Sequence, residues 1–166
     1  FRALIDPDDP RFLNPEDMPD AIADFCRETG QPAPETEGQF IRCALESLAL
    51  KYAMVLRWLE EMTGRSINVV HVVGGGARNT LLNQFTANAC NCQVVAGPIE
   101  ATGVGNLLMQ ARAAGELGSL AEMRAVSRMD AGLQEFIPRD AQQWAEARGR
   151  FAELVAELPC GTLVKC

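Results

Sequence analysis

Between Ile41 and Met62, the apolar residues Ile41, Leu45, Leu48, Tyr52, Val55, Leu59 and Met62 recur at alternating steps of four and three. Side chains so spaced share one face of an α-helix, so the pattern predicts one long amphipathic helix that turns this stripe toward a core. Its ends are punctuated. Thr36-Glu37-Gly38-Gln39 has the form of a capping box, and Gly64 fits a left-handed cap. Residues 67–73, Ile-Asn-Val-Val-His-Val-Val, are short and β-branched and predict a buried strand. Residues 93–96 predict a second strand, closed by Gly97-Pro98.

Around these elements the polar residues mark boundaries. Residues 1–35 form a Pro- and Asp-rich lead-in, with turns at Asp6-Pro7-Asp8-Asp9-Pro10 and Asn14-Pro15-Glu16-Asp17. A short helix over 18–27 presents Ala21, Ile22 and Phe25, and Gln31-Pro32-Ala33-Pro34 breaks it off. Asn79 is placed to cap a helix to about Ala89 bearing Leu81, Leu82 and Phe85. Another helix runs over 102–114 and stops at Gly115. Ser119-Leu120-Ala121-Glu122 opens a further one, and Asp140 begins a last helix bearing Trp144, Phe151 and Leu154. Strands alternating with helices imply an α/β fold with parallel pairing. Two strands are too few for an independent parallel sheet, so its remaining strands are expected from a segment N-terminal to this chain. Three stretches result: 1–35, a central α/β region over 36–138, and a C-terminal helix and tail over 139–166.

Composition narrows the function classes. With 48% hydrophobic and 22% charged residues, the 166-residue chain is an ordinary globular domain. A formal net charge of −7 argues against nonspecific nucleic-acid binding, which draws on clustered Lys and Arg. No apolar run reaches membrane-spanning length. The chain opens without an initiator Met and without a basic leader ahead of an apolar stretch, which fits a fragment, and the expected compartment is the cytoplasm. Six cysteines accompany a single histidine, His71. Cys90-Asn91-Cys92 lacks a second pair nearby, so no metal site is expected.

Candidate chemistry gathers after the two strands. Gly74-Gly75-Gly76 lets backbone pass close to a bulky ligand, and the helix that follows offers unpaired N–H groups to a phosphate. Loops at the C-terminal ends of parallel strands are where open α/β sheets bind ligands. A tight turn that merely needs glycine is the bland alternative. Neither the Walker pattern nor the dinucleotide fingerprint is present. Asn79 is first a helix cap and second a group facing a base or ribose; Arg78 is either a phosphate partner or solvated. Behind the second strand, Gly103 and Gly105 lower helix propensity in the first turn, which close backbone packing against a neighbour or ligand would explain. Glu100 is read as a solvated loop acid, His71 as a core residue, and Trp58 and Trp144 as packing residues.

Val73-Gly74-Gly75-Gly76-Ala77-Arg78-Asn79-Thr80-Leu81-Leu82-Asn83-Gln84, then Val94-Val95-Ala96-Gly97-Pro98-Ile99-Glu100-Ala101-Thr102 and Gly105-Asn106, closely resemble the C-terminal region of the FGGY carbohydrate kinases. Phe12-Leu13-Asn14-Pro15, Asp17-Met18 and Ser47-Leu48-Ala49-Leu50-Lys51-Tyr52 extend the likeness, which is greatest to the branch acting on L-rhamnulose. The resemblance implies an actin-like ATPase fold of two ribonuclease-H-like domains, with ATP and Mg²⁺ in the cleft. This chain would be the second half of the C-terminal domain, and its partners would be ATP, the sugar and the missing N-terminal domain. By the same resemblance Gly75, with Gly74 and Gly76, contacts the nucleotide, and Asn79 lies beside the adenosine. The family's catalytic Asp, its other phosphate loop and its sugar contacts have no counterpart here, so no catalytic residue is assigned. The rival readings are a kinase of the same family with xylulose or glycerol as acceptor, and a non-catalytic actin-like nucleotide-binding module.

One further pair stands apart. The turn over 31–35 reverses the chain and brings the segments carrying Cys26 and Cys43 side by side. The pair is either a disulfide or two buried thiols that pack the loop.

Overall fold

The computed structural model describes residues 1–129 and 132–157. Helix α1 spans Met18–Glu28, and Asp17 caps it by accepting from the Asp20 N–H. Ile22, Ala23, Phe25 and Cys26 form its buried face. Helix α2 spans Glu37–Thr63 and ends on Gly64 in the left-handed conformation, with φ of 66°. At its start the Thr36 hydroxyl accepts from the Gln39 N–H at 3.4 Å, while the Gln39 side chain accepts from the Glu35 N–H at 2.8 Å. The reciprocal half of the capping box therefore lands one residue early.

The face that α2 buries is not the one its apolar stripe predicts. Cys43, Glu46, Ser47, Ala49, Leu50, Lys51 and Ala53 are buried, whereas Ile41, Tyr52, Val55, Leu59 and Met62 are exposed. The lead-in decides this. Ala3, Leu4 and Ile5 are buried against the opposite face of α2, where the Ile5 N–H donates to Ser47 Oγ at 3.0 Å. Lys51 Nζ sits 2.9 Å from both Asp6 and Asp8. Both bonds of an extended peptide at Leu4 are made by one side chain, since Gln31 accepts from the Leu4 N–H and donates to the Leu4 carbonyl, each at 2.8 Å.

Strand β1 (Val69–Val72) is followed by a 3-10 turn over Gly74–Arg78 and helix α3 (Thr80–Cys90). Strand β2 (Gln93–Ala96) pairs with β1 in parallel, Val72 opposite Ala96. Helices α4 (Ala101–Ala113) and α5 (Leu120–Met129) come next, then strand β3 (Gln134–Phe136) and helix α6 (Ala141–Glu157). Strand β3 was not predicted, and it pairs with β2 antiparallel, so the described sheet is mixed, in the order β1-β2-β3. Strand β1 is an edge whose residues alternate between exposed and half-buried, and His71 is exposed rather than a core residue. Strand β2, by contrast, is covered by α3 and buries Val94, Val95 and Ala96.

Two hydrophobic clusters hold the helices. One joins Leu4, Leu50, Phe85, Trp144 and Phe151 between α2, α3 and α6. The other joins Ile5, Ile22, Phe25, Cys26 and Cys43 beneath α1. Trp144 is buried as expected, and Trp58 is half exposed.

Candidate functional site

The parallel pairing of β1 and β2 brings their C-terminal loops together. The Gly97 N–H donates to the Val72 carbonyl at 2.8 Å, and the Gly74 N–H donates to the Pro98 carbonyl at 3.0 Å. The glycine run is thereby laced to the Gly97-Pro98 loop at its entry, and both loops lie at the end of the sheet where α3 and α4 begin.

Within the run the three glycines differ. Gly74 has φ of 77°, a left-handed conformation that disfavours a side chain. Gly76 has no such φ, and a Cβ there would make ordinary contact with Val72 Cγ1 at 3.6 Å. Gly75 also lacks a positive φ, and a Cβ there would meet nothing within 4 Å. A tight turn therefore accounts for Gly74, but sterics within the described residues do not account for Gly75, which is exposed.

Asn79 caps α3: its Oδ1 accepts from the Leu82 N–H at 3.0 Å. Among the described residues nothing accepts from its side-chain NH2, which stays available on an exposed residue beside the loop. Arg78 and Glu100 are exposed, and Glu100 makes no side-chain cap to α4. Gly103 and Gly105 meet no described neighbour within 4 Å of a built Cβ, so packing among the described residues does not explain them. Asn83 is the residue the motif reading passed over: it is buried on α3, and its Nδ2 donates to the Ala77 carbonyl at 3.1 Å and, at 3.5 Å, to that of Gly76. The available signal was an amide at a position of α3 that faces inward with Thr86 and Ala87.

Away from the loops, Cys26 and Cys43 are buried free thiols in one cluster beneath α1. The neighbouring Cys26 thiol, then burial, pushes the Cys43 thiol up. Cys90 is pushed up to about 12, by burial first and by Cys92 next. Cys160 and Cys166 lie outside the described residues. Among the described residues no three His, Cys, Asp or Glu side chains converge to hold a metal, and no helix is long and apolar enough to cross a membrane.

Comparison with known proteins agrees with this arrangement. The family model for the FGGY family of carbohydrate kinases, C-terminal domain, matches residues 1–114. The rhamnulokinase of Bacteroides thetaiotaomicron is 50% identical over 155 residues, which cover 93% of this chain and 32% of that protein. The chain thus spans about a third of the length of that curated relative. The crystal structure of Plasmodium falciparum glycerol kinase with ADP matches with a TM-score of 0.62 over 80% of this chain and 26% of that one, at 18% identity. The second likeness shows the fold, that of the actin-like ATPases, and the first match shows more: this chain belongs to the FGGY family of carbohydrate kinases.

Proposed function

We propose that this chain forms the C-terminal share of the nucleotide site of an ATP-dependent sugar kinase, whose full-length enzyme converts ATP and L-rhamnulose to ADP and L-rhamnulose 1-phosphate. The observation that carries the reading is Gly75, a glycine whose φ and surroundings within the described residues would admit a side chain. A nucleotide lying against the backbone at Gly75 supplies the missing reason for glycine there, with Gly74 and Gly76 shaping the approach. The likeness to a rhamnulokinase supports the choice of sugar.

In the transfer, the sugar hydroxyl oxygen attacks the γ-phosphorus, the bond to the β–γ bridging oxygen breaks, and ADP leaves. The hydroxyl proton passes to a carboxylate outside this chain. Such transfers depend on positioning and on stabilising charge rather than on covalent chemistry by the protein. This chain's part is positional. The glycine loop would hold the nucleotide against the end of β1, and the Asn79 amide, whose oxygen caps α3, would turn its NH2 to the adenosine. Mg²⁺, when bound, would neutralise phosphate charge. The enzyme works in the cytoplasm, with the N-terminal domain closing over the same nucleotide.

Replacing Gly75 with Val in the full-length enzyme tests the reading. The Cβ fits the chain, so folding is retained, while the branched side chain occupies the nucleotide's approach. The expected result is a KM for ATP raised at least tenfold with the KM for the sugar unchanged. Equal changes in both, or in neither, would show the loop to be only a turn. The chain by itself, with no base, is expected to release no ADP in response to any sugar.

A further inference from the structure

We infer that Asn83 is a positioning residue of the nucleotide loop, fastening the carbonyl side of the glycine run to the helical core; the inference rests on the nucleotide reading of that loop. Three consecutive glycines form the most freely rotating backbone a chain can contain. A loop that must present its backbone to a ligand at a fixed distance needs ties that replace the missing side chains. Two of those ties are backbone bonds: Gly74 N–H to the Pro98 carbonyl at 3.0 Å, and Asn79 N–H to the Gly76 carbonyl at 3.1 Å. The third is the side chain of Asn83, whose Nδ2 donates to the Ala77 carbonyl at 3.1 Å and to the Gly76 carbonyl at 3.5 Å.

Asn83 differs from the other two ties in what stands behind it. It is 1% exposed, and a buried amide is costly unless its polar atoms are bonded. An apolar side chain would serve packing alone at that position. The amide is instead spent on the loop. Helix α3 is itself seated in the core through Phe85 and Ala89, which pack with Leu50 and Trp144. Asn83 therefore passes the rigidity of that core to the loop, one helical turn beyond the Asn79 cap.

The test is made in the full-length enzyme with Asn83→Leu, which keeps the branching at Cγ and removes the donor, and Asn83→Asp, which keeps the shape. Gly75→Val is the reference for the loop. The expected result for Asn83→Leu is a KM for ATP raised about tenfold, a sugar KM within twofold of the parent, and a melting temperature within a few degrees of it. For Asn83→Asp the ATP KM is raised at pH 8 and recovers toward pH 5.5, as a buried carboxyl gains the proton that lets it donate to the Ala77 carbonyl. If Gly75→Val weakens ATP but neither Asn83 variant does, the inference is wrong and the loop reading stands. If none of the three moves the ATP KM, both fall. Parallel losses for ATP and sugar, or failure of both Asn83 variants to fold, would make Asn83 a fold residue and overturn the inference.

Discussion

Around Phe25, Leu50 and Phe151 the side chains of five segments pack into two clusters that almost no water reaches, whereas the 13 residues of α4 include no buried side chain. The helical side is held by apolar area, with α1, α2, α3 and α6 sharing two clusters with the lead-in. The loop side, β1 with α4 and α5, is held by backbone bonds between neighbouring loops and by single polar side chains. Burial is non-directional and tolerates small shifts; hydrogen bonds fix direction over short distances. The helical side is thus a frame that resists displacement, and the loop side carries a glycine run whose shape is set by a few ties.

The comparison breaks first in the core. Phe25→Ala removes a fully buried ring and is expected to cost about 3–5 kcal/mol. Denaturant unfolding checks it, and a loss under 1 kcal/mol would show that α1 is not part of the frame. Next comes the thiol pair. We propose that oxidation by peroxide joins Cys26 to Cys43, two thiols and one peroxide giving one disulfide and two waters. The closed loop would add about 3 kcal/mol in the chain-entropy model. A raised melting temperature that dithiothreitol reverses, absent in Cys43→Ser, is the expected result; buried thiols that stay reduced would leave both proteins alike. Smaller is the effect at the boundary of the two regions. Asn79→Ala removes the cap of α3 and costs about 1 kcal/mol, while Asn79→Asp keeps the cap oxygen and loses only the amide donor. Retained stability with weakened nucleotide binding in Asn79→Asp separates the two roles; unaltered binding restricts Asn79 to capping. Leu107→Ala on exposed α4 is expected to change stability by less than about 0.5 kcal/mol.

The sequence announced the boundaries well and the coverings poorly. Thr36, Gly64 and Asn79 sit where their side chains or backbone preferences place them, because capping is a local matter of a few atoms. The residues of β2 matched the strand read from them. The stripe from Ile41 to Met62 marks one face of α2 correctly, yet periodicity says only which residues share a face, not which face a distant segment will cover. Here Ser47 and Lys51 bind the lead-in and settle the matter. His71 was misplaced for the same reason, since an edge strand and a central one can share a composition. Strand β3 has three residues, too few to show a period, and exists through its pairing with β2. At the candidate site the glycines and Asn79 were legible as a motif. Asn83 was not, because its partners are carbonyls, which carry no signature in a sequence.

The lead-in has a consequence on another timescale. Leu4 and Ile5 belong to no helix or strand, yet their amides donate to Gln31 and Ser47 and the residues are buried at 1% and 4% exposure. Exchange of an amide proton with solvent requires an opening that frees it, and here the bonds break when the lead-in leaves Ser47 of α2 and Gln31 in the turn before it. In deuterated water these two amides are expected to exchange as slowly as those in the middle of α2, so that a stretch drawn as irregular chain would keep time with the most durable part of the molecule.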